Sequence, residues 1–381
     1  MVQEDIAKIG PAWINHEGEK VRQEFLKVLA RNKKPVPLKT TPGVPRDHMT
    51  FSRQESLMFP PTISSCPRGE VPVIEFNLET ENFFLHTEEG EQGRVPVLLI
   101  RPVGQIVKRP AVVFLHSTGR RKEFFRPYME AFAARGYVAV AIDSRYHGER
   151  AASVNSYNEA LISAWRKGDE MPFIFDTVWD LTKLLDYLSE RRDVDAARIG
   201  ALGISLGGMH AWFAAVADPR IGVVVPIIGV QNFKWAVANE MWHARVQSIP
   251  HAFEVAKEDL GKPTVDAETV TAVWQRIAPG LIDKFDAEHT IRTIAPRPLL
   301  VINVTECLLR VSFLGERDSR CPLEGLEKVV MEVAEIYKAA RVPEHFKFKA
   351  EEGVDHEFCE SMGYDASVWM DHFLKPDNPL S

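Results

Sequence analysis

Five short apolar runs constrain this chain more than anything else in it: residues 111–115, 138–142, 199–204, 221–228 and 298–302. Each is long enough for a strand and too short for a helix. Unbroken apolar runs of this length suit strands whose sheet is covered on both faces, so they predict a parallel sheet. Between them lie stretches of helical periodicity. Residues 128–135 stop at Gly136, residues 175–190 place Val178, Leu181, Leu184, Leu185 and Leu188 at helical spacing, and residues 206–217 follow a strand directly. Strand and helix in alternation specify an α/β fold, doubly wound, with a mostly parallel sheet flanked by helices.

Residues 73–84 and 94–101 read as a β-pair joined by the polar turn 87–93, and a helix over 326–340, a strand at 346–350 and a helix over about 366–374 close the chain. Residues 1–72 have a different character. A helical pattern over 14–31 is followed by a proline-rich stretch, 33–72, which predicts an N-terminal helix and extended leader packed on a main domain of 73–381. Within that domain, residues 231–293 break the rhythm with aromatic-rich helical pieces holding Trp235, Trp242, Phe253, Trp274 and Phe285. A helical insertion between two late strands is where a cap over a site would sit, with these rings as packing residues rather than ligand contacts.

The balance of charge excludes some classes of partner. A formal net charge of −7, with no long block of Lys or Arg, argues against nucleic acid and against an anionic membrane surface. No run of 18 apolar residues offers a membrane span, and the acidic start Met1-Val-Gln-Glu-Asp-Ile lacks an apolar signal core. The four cysteines, Cys66, Cys307, Cys321 and Cys359, are scattered without a Cys-x-x-Cys pair, which signals neither a disulfide framework nor a structural zinc site. The expectation is a cytoplasmic, unanchored protein; nothing in the sequence speaks to its oligomeric state.

The chemistry is written at Ile199-Gly-Ala-Leu-Gly-Ile-Ser-Leu-Gly-Gly-Met-His210, where an apolar strand runs into a serine framed by Gly203 and Gly207 and continues as a helix. Glycine on both sides lets a serine stand in a strained turn at the carboxyl end of a strand, the arrangement of a nucleophile elbow. The N–H of Leu206, opening the helix, then faces a developing oxyanion. A serine hydroxyl needs a histidine to take its proton and an acid to orient that histidine. His356, in the loop after the last strand, is the candidate base. Asp318, in the turn 315–322, is the candidate acid, with Glu316 as its substitute; the chain order Ser, Asp, His is the one such sheets use. His210, His243 and His251 read as structural or substrate-facing, and His372 as facing solvent.

Gly203-Ile-Ser-Leu-Gly-Gly208, His116-Ser-Thr-Gly119, Asp143-Ser-Arg-Tyr-His-Gly-Glu149, Gly315-Glu-Arg-Asp318 and Gly353-Val-Asp-His356 together resemble the α/β-hydrolase superfamily, and most closely its dienelactone-hydrolase-like and acetyl-xylan-esterase-like members, over residues 73–375. The resemblance implies Ser205 as nucleophile, His356 as base and Asp318 as orienting acid. It also implies that the loop after the third strand of that fold supplies a second oxyanion N–H, from Ser117 or Thr118. Dienelactone hydrolases carry a cysteine where this chain has Ser205, which turns the expectation away from their lactone chemistry. The chain departs from the pattern at 304–314, a second apolar block between the strand at 298–302 and the Gly-Glu-x-Asp turn. Such an insertion must bulge, pair at an edge, or replace the first run as the strand. Asp355 stands where relatives commonly have glycine and is expected to face water.

These features favour a serine hydrolase that cleaves a small-molecule carboxylic ester through an acyl-enzyme, needing neither cofactor nor metal. An acyltransferase or thioesterase with the same triad is an alternative, as is a weakly catalytic or non-catalytic ligand-binding protein on a hydrolase scaffold.

Overall fold

Nine strands among the described residues form one sheet: β1 (Pro35–Pro42), β2 (Leu78–Glu88), β3 (Arg94–Pro102), β4 (Arg109–Leu115), β5 (Val138–Ile142), β6 (Val194–Ile204), β7 (Ile221–Ile227), β8 (Leu299–Thr305) and β9 (Phe346–Glu352). The structure is a computed structural model and describes residues 11–43, 77–305, 320–352 and 356–374. The strand order is β1-β2-β3-β5-β4-β6-β7-β8-β9. β1, β2, β3 and β5 pair antiparallel in turn, and every pair from β5 across to β9 is parallel. β4 lies between β5 and β6, so the winding reverses there. The crevice beyond the carboxyl ends of β4 and β6 is where such sheets hold ligands.

Alternate residues of β4 go to opposite faces, as strand geometry demands. Ala111, Val113 and Leu115 join one apolar cluster with α1 (Pro11–Leu29), α4 (Phe175–Glu190), α5 (Leu206–Ala217) and α11 (Glu327–Ala339). Val112 and Phe114 join a second with α2 (Arg126–Ala134) and α12 (Glu360–Leu374). Both faces are therefore dry, which is why these strands have no polar face. Between β7 and β8 come α6 (Phe233–Ala238), α7 (His243–Gln247), α8 (Pro250–Asp259), α9 (Ala267–Ile277) and α10 (Ala287–Thr290). Trp274 packs against Phe173, Phe233 and Phe253 at ring separations of 4.9, 5.4 and 5.0 Å.

Several elements differ from the sequence reading. The proline-rich stretch contains β1, which sits at the sheet edge, where a proline's missing N–H breaks no ladder. β2 runs on to Glu88, confining the turn to 89–93, and a helix that no pattern had marked, α3 (Ser156–Lys167), precedes α4. α12 begins at Glu360 rather than near 366. At the unusual block, the first apolar run is the strand: β8 pairs with both β7 and β9 and extends to Thr305. The rest of 304–314 lies outside the described residues.

α1 packs into the core. Phe25 is fully buried against Phe175, Phe213 and Phe285, with ring centroids 4.9, 5.6 and 5.0 Å away. Arg22 Nε donates to Val216 O at 3.3 Å, and Lys33 Nζ meets Asp176 Oδ1 at 2.6 Å. Truncating Phe25 to alanine opens a cavity between α1, α4 and α5, which should destabilise the fold by about 3–5 kcal/mol. Urea denaturation of Phe25→Ala beside the parent measures this. A difference below about 1 kcal/mol would mean that α1 is not anchored there.

Candidate active site

Ser205 ends β6 and starts α5 with φ 55° and ψ −112°, a conformation L-residues avoid. Holding it there costs on the order of 1–3 kcal/mol, which the surrounding backbone must supply. The Ser205 N–H donates to Ile227 O at 2.8 Å, tying the turn to β7. Glycine is required on either side for close approach. A Cβ on Gly203 would stand 2.2 Å from Gly207 O, and one on Gly207 would stand 2.0 Å from Leu115 O and 2.7 Å from His116 O. Gly208, not singled out by the Gly-x-Ser-x-Gly pattern, is equally confined, 2.6 Å from Ile227 O.

The same contacts bring the loop after β4 alongside the elbow, since Leu115 is the register partner of Gly203. Ser117 is buried there and Thr118 exposed, while Leu206 opens α5 immediately after the serine. His116 holds this loop. Its Nδ1 donates to Ser117 O at 2.9 Å and its Nε2 accepts from the Ser144 N–H at 3.0 Å, which fixes the neutral Nδ1–H tautomer.

His356, four residues after β9, places Nε2 2.9 Å from Ser205 Oγ. Both side chains are about nine-tenths buried. The buried Nδ1 of His356 has no hydrogen-bond partner among the described residues. Asp318, its substitute Glu316, and Asp355 lie outside the described residues. Burial, and after it the positive charges of Arg245 and Arg320, hold the His356 pKa well below the ordinary histidine value.

The sequence reading passed over much of the surrounding layer. Arg245, on α7, and Arg320, ahead of α11, both act on His356. His147 and His210 are buried with His116: His147 lies 5.3 Å from the His116 ring and 4.5 Å from Tyr157, and His210 Nδ1 is 3.5 Å from Ser144 Oγ. The polar cluster Asp143-Ser-Arg-Tyr-His147, directly after an apolar strand, was the signal that could have marked this layer. His243, stacked on Trp242 at 3.8 Å, and His251 and His372 are exposed. Among the described residues no group of three or more His, Cys, Asp or Glu is arranged to hold a metal ion, and no helix is long and apolar enough to cross a membrane.

Burial lowers the pKa of His116, His147, His210 and His356, to about 3 for His147. As pH falls the unfolded chain takes up these protons first, so stability is full above the ordinary value of 6.5 and declines below it, for His147 down to about 3. Each histidine contributes up to about 1.4 kcal/mol per pH unit. The urea midpoint should therefore be flat above about pH 7 and fall on acidification, with a shallower fall in His147→Gln. An unchanged midpoint between about pH 7.5 and 5.5 would show that these rings are not held neutral by burial.

Residues 112–364 match the alpha/beta hydrolase family. Among curated proteins, the chain is 24% identical over 259 residues to "Putative hydrolase YtaP" of Bacillus subtilis (strain 168), covering 64% of this chain and 72% of that protein. Among solved structures it resembles methylesterase BT1017, with a TM-score of 0.59 and 16% identity over 98% of this chain and 69% of that one. It also resembles acetyl xylan esterase 1 from Thermoanaerobacterium sp. JW/SL YS485, with a TM-score of 0.55 and 16% identity over 97% and 98% of the two chains. With the matched region spanning most of the sheet and both elements of the elbow, the chain belongs to the alpha/beta hydrolase family.

Proposed function

We propose that this protein is a serine esterase. The observation that carries the reading is the 2.9 Å contact between Ser205 Oγ and His356 Nε2, made by a serine whose backbone is held at positive φ. Serine is a poor nucleophile unless a base takes its proton, and His356 is neutral and within reach to do so. The esterase names of the two resembling structures point the same way.

Ser205 Oγ attacks the ester carbonyl carbon while His356 Nε2 takes the hydroxyl proton. The carbonyl oxygen becomes an oxyanion, stabilised by the Leu206 N–H and an N–H of Ser117 or Thr118. As the tetrahedral species collapses, the C–O bond to the alcohol breaks and His356 returns the proton to the departing oxygen, leaving an acyl-enzyme. Water repeats the sequence, with its proton passing to His356, and the carboxylic acid leaves with Ser205 restored. Asp318 is assigned the acceptor of the Nδ1–H, the role that the buried Nδ1 of His356, partnerless among the described residues, calls for.

A fluorophosphonate probe should label the parent protein and leave Ser205→Ala unlabelled, with hydrolysis of 4-nitrophenyl acetate falling by about 10⁴-fold or more. Asp318→Asn should lower kcat by about 10⁴-fold while the Ser205 elbow stays folded. Labelling that persists in Ser205→Ala would end the reading.

A further inference from the structure

Arg245 is a buried cation with no carboxylate beside it among the described residues. Its side chain projects from α7 and is 5% exposed. Nη2 donates to Arg320 O at 3.3 Å and to Cys321 Sγ at 3.4 Å. With the Gln231 amide oriented so that both its ends are satisfied, its oxygen accepts from Arg245 Nε at 3.0 Å and Nη2 at 3.3 Å, and its nitrogen donates to Arg320 O at 2.6 Å. All these acceptors are neutral, since burial pushes the Cys321 thiol pKa up. Nη1 makes no hydrogen bond to any described residue.

Three other buried guanidiniums among the described residues do meet a carboxylate. Arg145 and Arg150 both meet Asp180 at 2.7 Å, and Arg135 meets Asp371 at 3.2 Å. Arg297, which also lacks a carboxylate within ion-pair distance among the described residues, donates at 2.7 Å to Ala215 O, at the carboxyl end of α5 where the helix supplies partial negative charge, and at 2.7 Å to Ile221 O at the start of β7. Removing a charge from water without an opposite charge costs several kcal/mol, so a buried guanidinium whose partners among the described residues are all neutral is a candidate to receive an anion from outside.

Its position says which anion matters. Cys321 Sγ contacts Ile228 O at 3.6 Å, and the adjoining Ile227 O accepts the Ser205 N–H. The Arg245 charge is felt by both His356 and Tyr157. The cation, carried on α7 within the α6–α10 insertion, therefore lies near the site of chemistry.

We propose that Arg245 forms a carboxylate-binding subsite, so that the preferred esters carry a carboxylate in addition to the ester group. This deepens the esterase reading and rests on it. With Nε and Nη2 held by Gln231, Arg320 O and Cys321, Nη1 is the donor left for an incoming carboxylate, and a bond between charged partners is worth more than one between neutral groups.

The test compares matched esters in the parent, Arg245→Met and Arg245→Lys. Mono-4-nitrophenyl succinate against 4-nitrophenyl butyrate places the charge on the acyl side; 4-carboxyphenyl acetate against phenyl acetate places it on the leaving side. For at least one pair, kcat/KM should favour the anionic ester in the parent. That ratio should fall about ten- to a hundredfold in Arg245→Met and be partly retained in Arg245→Lys. Fluorophosphonate labelling of each protein separates the two readings. Serine-dependent labelling with no anionic preference in either pair overturns the subsite and leaves the esterase standing. Without labelling, calorimetry of succinate binding decides the subsite alone: binding by the parent that is lost in Arg245→Met supports it, and no binding overturns it. Should Arg245→Met not fold, the parent's own ratio decides: an anionic preference that weakens as salt is added supports the subsite, and the lack of one overturns it.

Discussion

Backbone meeting backbone where β6 turns into α5 is the constraint on which the site depends. Carbonyls of Leu115, Gly207 and Ile227 lie where side chains of Gly203, Gly207 and Gly208 would begin. That spacing forces three glycines into a stretch otherwise filled with apolar side chains. It leaves Ser205 as the one residue of the turn with a reactive side chain, and lodges the loop after β4 against the start of α5. Strain at Ser205 persists because its N–H is bonded to β7 and because α5, buried on all sides, cannot shift to relieve it. α1 contributes to this rigidity through Phe25 and Arg22, which lie against α5 far from the chemistry.

Around this centre the protein sorts its buried charges. On one side, Lys33, Arg145 and Arg150 are interleaved with Glu88, Asp176 and Asp180, joining the segment after α1 to α4 and to the loop after β5. Asp143, at the head of that loop, accepts from the Lys122 and Glu149 N–H groups at 2.7 and 2.9 Å. Charges of this network are matched, so its contribution is to fix loops rather than to attract ligands. Nearer the serine the groups are neutral imidazoles, and Arg245, which acts on His356, has no match among the described residues.

What the sequence made legible follows from which constraints act locally. The five apolar runs marked their strands because covering a sheet on both faces removes every polar residue from it. The elbow was legible because the close approach at Gly203 and Gly207 leaves a fixed spacing in the chain, and His356 because it follows the last strand. β1 escaped notice because its pairing is long-range and its prolines, read locally, argue against a strand; α3 likewise carries little to distinguish it from a polar connection. Arg245 was invisible for a different reason. A single arginine in an aromatic-rich helical block reads as solvent-facing, and only the fold shows that Gln231, Cys321 and the Arg320 carbonyl close around it. Spacing in sequence reports strain and periodicity; it carries no record of a charge brought in from another element.

As the proposed base, His356 faces opposing demands. Burial and the charges of Arg245 and Arg320 keep His356 neutral, ready to accept a proton. The same influences would oppose the imidazolium formed in the proposed reaction, at about 1.4 kcal/mol for every unit by which the pKa is lowered. An acceptor at Nδ1, the place proposed for Asp318, offsets part of this by stabilising the cation. A carboxylate seated on Arg245 would offset another part, because it cancels one of the charges that oppose protonation. Substrate binding and proton acceptance would then be coupled through a single guanidinium: an ester bearing the right anion would make its own base stronger, while a neutral ester would meet His356 with the opposition intact. Under that coupling the discrimination between esters appears in kcat as well as in KM, since the charge acts on the step in which the proton moves.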